Sequence, residues 1–158
     1  MKYIQDVALF MAVMGQKMPP VPAPQPAEII TLRHELIREE NEELKDAAMM
    51  ADIVGIADAL CDLRYVVEGA FVAYGFSPVL ADELFAEVQR SNMSKACVME
   101  EEAQMTQIAY REQGIATHIT KVGSYWIVAR DSDNKVMKSV NWSEPDIAGI
   151  LRKHGVQC

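Results

Sequence analysis

The chain has 158 residues, half of them apolar and 24% charged, and a formal net charge of −8. That length suits one domain with a small appendage and is ample for a real core. The negative balance excludes a broad phosphate-binding surface for duplex nucleic acid, although bound metal can invert the local field and admit a polyphosphate.

From the N-terminus, Ile4, Val7, Met11 and Met14 recur at helical spacing and predict a first helix over Tyr3–Met14, stopping near Gly15. Asp6, a single basic residue and the lack of an A-x-A site weigh against a signal peptide. No apolar run is long enough to span a bilayer, so no membrane partner is expected. Pro19, Pro20, Pro22, Pro24 and Pro26 form a stiff, extended strap, because proline cannot continue a helix and restricts the residue before it. A long helix is predicted over Ala27–Met49 and a third over Ile53–Tyr74. On the third, Ile56, Leu60, Leu63, Val67, Phe71 and Tyr74 form an apolar stripe that Ala59, Val66 and Gly69 widen, as in the central helix of a bundle. Gly75 is a natural stop.

A fourth helix is predicted over Val79–Arg90, followed by Ser91-Asn92-Met93-Ser94-Lys95. Glu100-Glu101-Glu102 opens a polar helix reaching about Gln113. Strand-like runs follow at Ile115–Thr120, Tyr125–Ala129 and Val136–Val140, with turns at Gly123 and at Asp131-Ser132-Asp133-Asn134. Ser143-Glu144-Pro145-Asp146 reads as an N-cap with an early proline, and the last helix ends before Gly155. The domains predicted are 1–95, an all-α bundle, and 96–158, a small appendage of helix, short antiparallel strands and terminal helix. Cys61, Cys97 and Cys158 are scattered with no CxxC spacing, which fits reduced thiols in a cytoplasmic setting. Cys61 reads as a small core residue.

The chemistry concentrates in Leu36-Ile37-Arg38-Glu39-Glu40-Asn41-Glu42-Glu43-Leu44 and in Asp58-Ala59-Leu60-Cys61-Asp62. At about 100° per residue, Glu39, Glu40 and Glu43 fall within roughly a third of the helix circumference. Leu32, Leu36 and Ala47 share that sector, while Asn41 and Glu42 lie outside it. Asp58 and Asp62 are one turn apart on the next helix, where like charges repel unless something neutralises them. Carboxylates on an apolar stripe are costly to bury without a cation. Hard oxygen donors in that number suit magnesium or manganese, and bundle cores are places where such sites are built. The bland alternative is a solvated acidic face paired to Arg33, Arg38, Lys45 and Arg64, and the residues alone leave both readings open. Lys95 and Asn92, just past a helix end, have the chemistry to hold phosphate oxygens, although helix C-termini favour those residue types anyway. His34, His118 and His154 share no ligand spacing, and no glycine-rich phosphate loop or nucleophile motif is present.

Arg33-x-x-Leu36-Ile37-x-Glu39-Glu40-x-x-Glu43-Leu44, then Asp58-Ala59-Leu60-x-Asp62-Leu63-x-Tyr65-Val66-Val67, resembles the all-α nucleoside triphosphate pyrophosphohydrolases of the MazG and phosphoribosyl-ATP pyrophosphohydrolase superfamily. Phe85-x-Glu87-Val88-x-Arg90-Ser91-Asn92-Met93-Ser94-Lys95 resembles the closing motif of a branch common in bacteria and their phages. The resemblance covers about Lys2 to Lys95 and implies a mainly α, four-helix-type bundle carrying a small C-terminal β-hairpin and helix. It implies metal-dependent cleavage of the α–β bond of a nucleoside triphosphate to monophosphate and pyrophosphate, with dGTP or dUTP as leading substrates. By the same resemblance, Glu40, Glu43 and Asp62 hold two or more Mg2+ or Mn2+ ions, Glu39 contacts a further ion or orients the attacking water, and Asn92 and Lys95 hold substrate phosphates. Homodimers or homotetramers are implied as well. One departure stands out. The usual second motif is ExxD, but Ala59 occupies the position three before Asp62, so Asp58 must supply the missing ligand. The opposing expectation, which Ala59 favours, is a non-catalytic helical oligomerisation module with a degenerate acidic pocket.

Overall fold

Two tight connections organise the helical half of the chain. The computed structural model describes residues 2–157, so Cys158 lies outside the described residues. Helix α1 spans Lys2–Val13, α2 Ala27–Met49, α3 Ile53–Ala73 and α4 Pro78–Met93. Between α2 and α3 the chain turns through Ala51 at a φ of 55°, and Asp52 caps α3 by accepting hydrogen bonds from the backbone N–H of Val54 and Gly55, each at 3.1 Å. The cap satisfies two of the donors that every helix start leaves open. So short a turn folds α3 back along α2.

At the other end of α3 the proline strap returns across the helix terminus, where the Ala23 N–H donates to the Tyr74 carbonyl at 3.1 Å. Gly75 sits at a φ of +83°, and a Cβ there would lie 2.5 Å from the Val21 carbonyl oxygen. Both the turn and the close approach of the strap therefore require glycine.

Ile4, Val7 and Met11 of α1 pack with Val72 and Ala73 of α3 and Ala81 of α4 to form the core of this unit. The helical spacing read along α1 is the face that is buried. On α3 the expected stripe is buried only in part: Ala59 and Gly69 of its widened edge are buried, Ile56, Leu63, Phe71 and Tyr74 are half-buried, Leu60 and Val67 are exposed, and Val72 and Ala73 are buried beside it. The reason is supply. α1 and α2 cover two faces of α3, and the small residues are the ones that let them approach.

The chain forms two compact units, one running to Glu83 and resuming at Leu151, the other Leu84–Ile150. The division falls inside α4 rather than after Lys95, because the end of α4 is stitched to the later chain. Arg90 donates to the Ser143 hydroxyl (2.6 Å) and the Glu144 carbonyl (2.9 Å), and the Ser91 hydroxyl donates to the Ser143 carbonyl (2.9 Å). Engaged in this way, Ser143 is not the helix cap that its sequence context predicts. Helix α6 begins at Ile147, and Asp146 accepts from the Gly149 N–H instead.

In the second unit α5 (Glu100–Glu112) packs on a two-stranded antiparallel sheet, β1 (Thr117–Val122) against β2 (Tyr125–Arg130), in a register that pairs Val122 with Tyr125 and Thr117 with Arg130. Cys97, Ala103 and Val128 form its core. The third strand-like run, Val136–Val140, contributes only a single bridge between Val136 and Ala129. Its Ser139 is drawn away to donate to the buried Glu102 carboxylate, and its Val140 N–H donates to the Thr106 hydroxyl at 3.1 Å. The molecule is thus mainly helical with a small C-terminal two-stranded sheet and helix. Among the described residues no helix is long and apolar enough to cross a membrane.

Candidate functional site

Glu39, Glu40 and Glu43 lie on α2, and Asp58 and Asp62 on α3, the two helices joined by the short turn at Ala51. Glu40 is half-buried; Glu39, Glu43, Asp58 and Asp62 are exposed. The stripe read as core-facing is therefore the rim of the α2–α3 packing rather than its interior. Burial, and after it the negative charges of Glu43, Asp62, Glu39 and Asp58, push the Glu40 carboxyl above its ordinary value. The other four predicted carboxylates all act on Glu40.

The three arginines proposed to neutralise an ordinary acidic face are engaged chiefly elsewhere. Arg38 pairs with Glu35 (2.7 Å) and Glu42 (2.9 Å) on the outer side of α2 and comes only to 4.0 Å of Glu39. Arg33, buried, turns the other way, donating to the Gln16 side chain at 2.7 Å and lying 3.9 Å from the Met11 sulfur. Burial lowers its affinity for its proton. Arg64 lies 3.9 Å from Glu68. Among the described residues no ion pair reaches Glu40, Glu43, Asp58 or Asp62.

Glu43, Asp58 and Asp62, without ion pairs among the described residues, and Glu39, 4.0 Å from Arg38, all act on the half-buried Glu40, and hard oxygen donors of this kind suit a divalent cation. Among the described residues no three His, Cys, Asp or Glu side chains stand close enough together to form a ready-made cage. Like charges hold one another apart at this spacing.

Ala59 is 3% exposed and packs into the helix interface. A longer acidic side chain there would be a carboxylate at a buried position. Asp58, one residue earlier, is exposed and its charge reaches Glu40.

Asn92 and Lys95 belong to the other unit, where Lys95 Nζ donates to the Asn92 side-chain oxygen at 2.7 Å. Their neighbours in the motif have a different task. Arg90 and Ser91 hold the Ser143–Glu144 strap, Ser94 Oγ accepts from the Ser143 N–H at 3.2 Å, and Glu87 accepts from the Asp146 N–H at 2.8 Å. Paired with Arg90 as well, the Glu87 carboxyl is held down at about 2. The sequence reading missed this clamp because its partners are more than fifty residues apart. It missed the burial of Glu102 too, since a triple-glutamate helix start signals only a solvated first turn. Cys61, read as a core residue, is exposed, whereas Cys97 is buried.

A family model described as phosphoribosyl-ATP pyrophosphohydrolase matches residues 7–92, which takes in both acidic helices and all of the core that holds them except Ile4. No curated protein matches the chain.

Proposed function

The chain belongs to the phosphoribosyl-ATP pyrophosphohydrolase family, and from that premise we propose a metal-dependent nucleoside triphosphate pyrophosphohydrolase that releases a monophosphate and pyrophosphate from a deoxynucleotide, with dGTP and dUTP the leading substrates. The observation that carries the proposal is the position of Glu40. It is half-buried within the field of four carboxylates, of which only Glu39, 4.0 Å from Arg38, has an ion pair among the described residues. An unneutralised cluster of this kind is costly to a protein that does not use it.

Glu40, Glu43, Asp58 and Asp62 would hold Mg2+ or Mn2+. When bound, such ions screen the polyphosphate and lower the pKa of water. Glu39, the carboxylate of the set beside Arg38, orients the attacking water. A water oxygen bonds to phosphorus at the α–β bridge, the bridging bond breaks, and pyrophosphate leaves in line. Asn92 and Lys95, in the other unit, carry an amide and a cation of the kinds that meet phosphate oxygens. Incubation with a panel of nucleotides and either metal should release pyrophosphate; orthophosphate alone, or no turnover of any nucleotide, refutes the proposal and leaves the non-catalytic module.

A second copy of the chain is the proposed cover for the apolar side chains that α3 and its turn leave in water, among them Met49, Ile53, Val54 and Leu60. Sedimentation should report a dimer or tetramer, and Leu60→Lys should shift it toward monomer.

A further inference from the structure

α1 and α3 enclose a cleft of about 340 Å³ that takes no part in the carboxylate cluster. Tyr3, Tyr65 and Val7 give it apolar walls, Cys61 lies on its surface, and Asp6 and Glu68 supply carboxylates. Tyr65 is braced edge-on by Phe10, with ring centroids 5.8 Å apart, and the Arg64 guanidinium sits 3.8 Å from the Tyr3 ring centre. The Glu68 side chain is only 14% exposed, yet Arg64 approaches it no closer than 3.9 Å. A carboxylate largely removed from water and held by one long ion pair retains acceptor capacity for other donors.

The position relates the cleft to the carboxylates. Cys61 adjoins Asp62, and Tyr65 is one turn beyond it on the same helix. Glu68 follows about 9 Å along the axis, at 1.5 Å per residue. Six residues also turn Glu68 about 120° round the helix from Asp62, so a nucleotide whose phosphates meet Asp62 would bring its base to Glu68 by passing round α3 over Tyr65.

The chemistry of the cleft selects the base. Aromatic walls accept any flat ring. An ionised carboxylate only accepts hydrogen bonds, and it is strongest with two parallel donors. Guanine alone among the common bases carries two adjacent donors on one edge, the ring N–H and the exocyclic amine. Uracil and thymine flank their single N–H with carbonyl oxygens, which a carboxylate repels. Adenine and cytosine place one amine beside an acceptor nitrogen.

We propose that the α1–α3 cleft seats the base of the substrate and that Glu68 makes it selective for guanine. This rests on the pyrophosphohydrolase reading and adds the substrate to it. Two measurements separate the two claims. In the first, alkylation of Cys61 by N-ethylmaleimide is followed by peptide mass mapping, without metal, in the presence of GMP, AMP, CMP or UMP. GMP should slow modification at least threefold in a saturable manner, the other three should not, and Glu68→Gln should abolish the effect. In the second, Glu68→Gln should lower kcat/KM for dGTP at least tenfold while leaving other triphosphates within twofold. Asp6→Asn, with a weaker effect of the same sign, serves if Glu68→Gln does not fold. Equal protection by all four monophosphates, none by any, or an equal loss of rate for every nucleotide overturns the guanine seat. Selective protection by GMP with no pyrophosphate from any nucleotide leaves the seat standing and removes the hydrolase.

Discussion

Neutralising Glu40 should make the protein more stable and inactive at once. Glu40→Gln keeps the size of the side chain and deletes the charge on which Glu43, Asp62, Glu39 and Asp58 all act. A like-charge neighbour one turn away on a helix costs about 0.2–0.5 kcal/mol. Screening at physiological salt, with a Debye length of about 8 Å, weakens the contributions from α3. Relief from four neighbours then comes to roughly 1 kcal/mol. For a domain of this size that raises the melting temperature by about 2–4 °C when evaluated at the midpoint. Thermal unfolding in chelator is the assay. A divalent cation at a hundredfold excess over its dissociation constant should add roughly 2.7 kcal/mol to the wild type by mass action, and clearly less to the variant. Turnover of the best nucleotide should fall at least 100-fold. A variant that melts lower in chelator, or that retains the full stabilisation by magnesium, refutes the reasoning, because Glu40 would then be an ordinary surface residue.

Ala59→Glu restores the usual acidic spacing on paper but places a carboxylate at a buried position; it should destabilise the protein by about 3 kcal/mol or more in urea unfolding, without any gain in turnover. Asp58→Asn and Asp62→Asn should each abolish pyrophosphate release with unchanged urea midpoints, and full activity of Asp58→Asn would remove Asp58 from the ligand set. The clamp between α4 and the Ser143–Asp146 strap should be pH-sensitive. The Glu87 carboxyl is held at about 2 by the Arg90 guanidinium and the Asp146 N–H, below its ordinary 4.5, so its contribution is complete above that ordinary value and disappears as pH falls from there to about 2. The protection factor of the Asp146 amide, its exchange rate measured against the intrinsic rate at each pH, should fall with this loosening in the wild type and be independent of pH over that range in Glu87→Gln.

Local signals were legible wherever one stretch of chain decides its own conformation. The bounds of α2 and the face of α1 carrying Ile4, Val7 and Met11 follow from periodicity, and the stop at Gly75 follows from backbone freedom. The acidic set on α2 and α3 was legible for the same reason, since i,i+3 and i,i+4 spacing fixes a helix face whatever packs on it. Other features depended on a distant partner. Val136–Val140 has strand composition, yet Ser139 and Val140 go to Glu102 and Thr106, more than thirty residues back. Ser143 looks like a cap, but Arg90 and Ser94 take its polar groups first.

The sequence by itself determined which helices form, about where they end, and that two of them carry carboxylates three or four residues apart on one face. Only the tertiary structure decided which cations stay away. Arg33, four residues before Ile37 and seven before Glu40, could have met the acidic set from a different rotamer. It is instead buried toward α1, bonded to Gln16, because Met11, Gln16 and the small side of Gly69 leave room for a guanidinium there. That choice leaves Glu40 surrounded by its own kind. It also leaves Asp58, not the buried Ala59, as the exposed acidic position on α3 whose charge reaches Glu40.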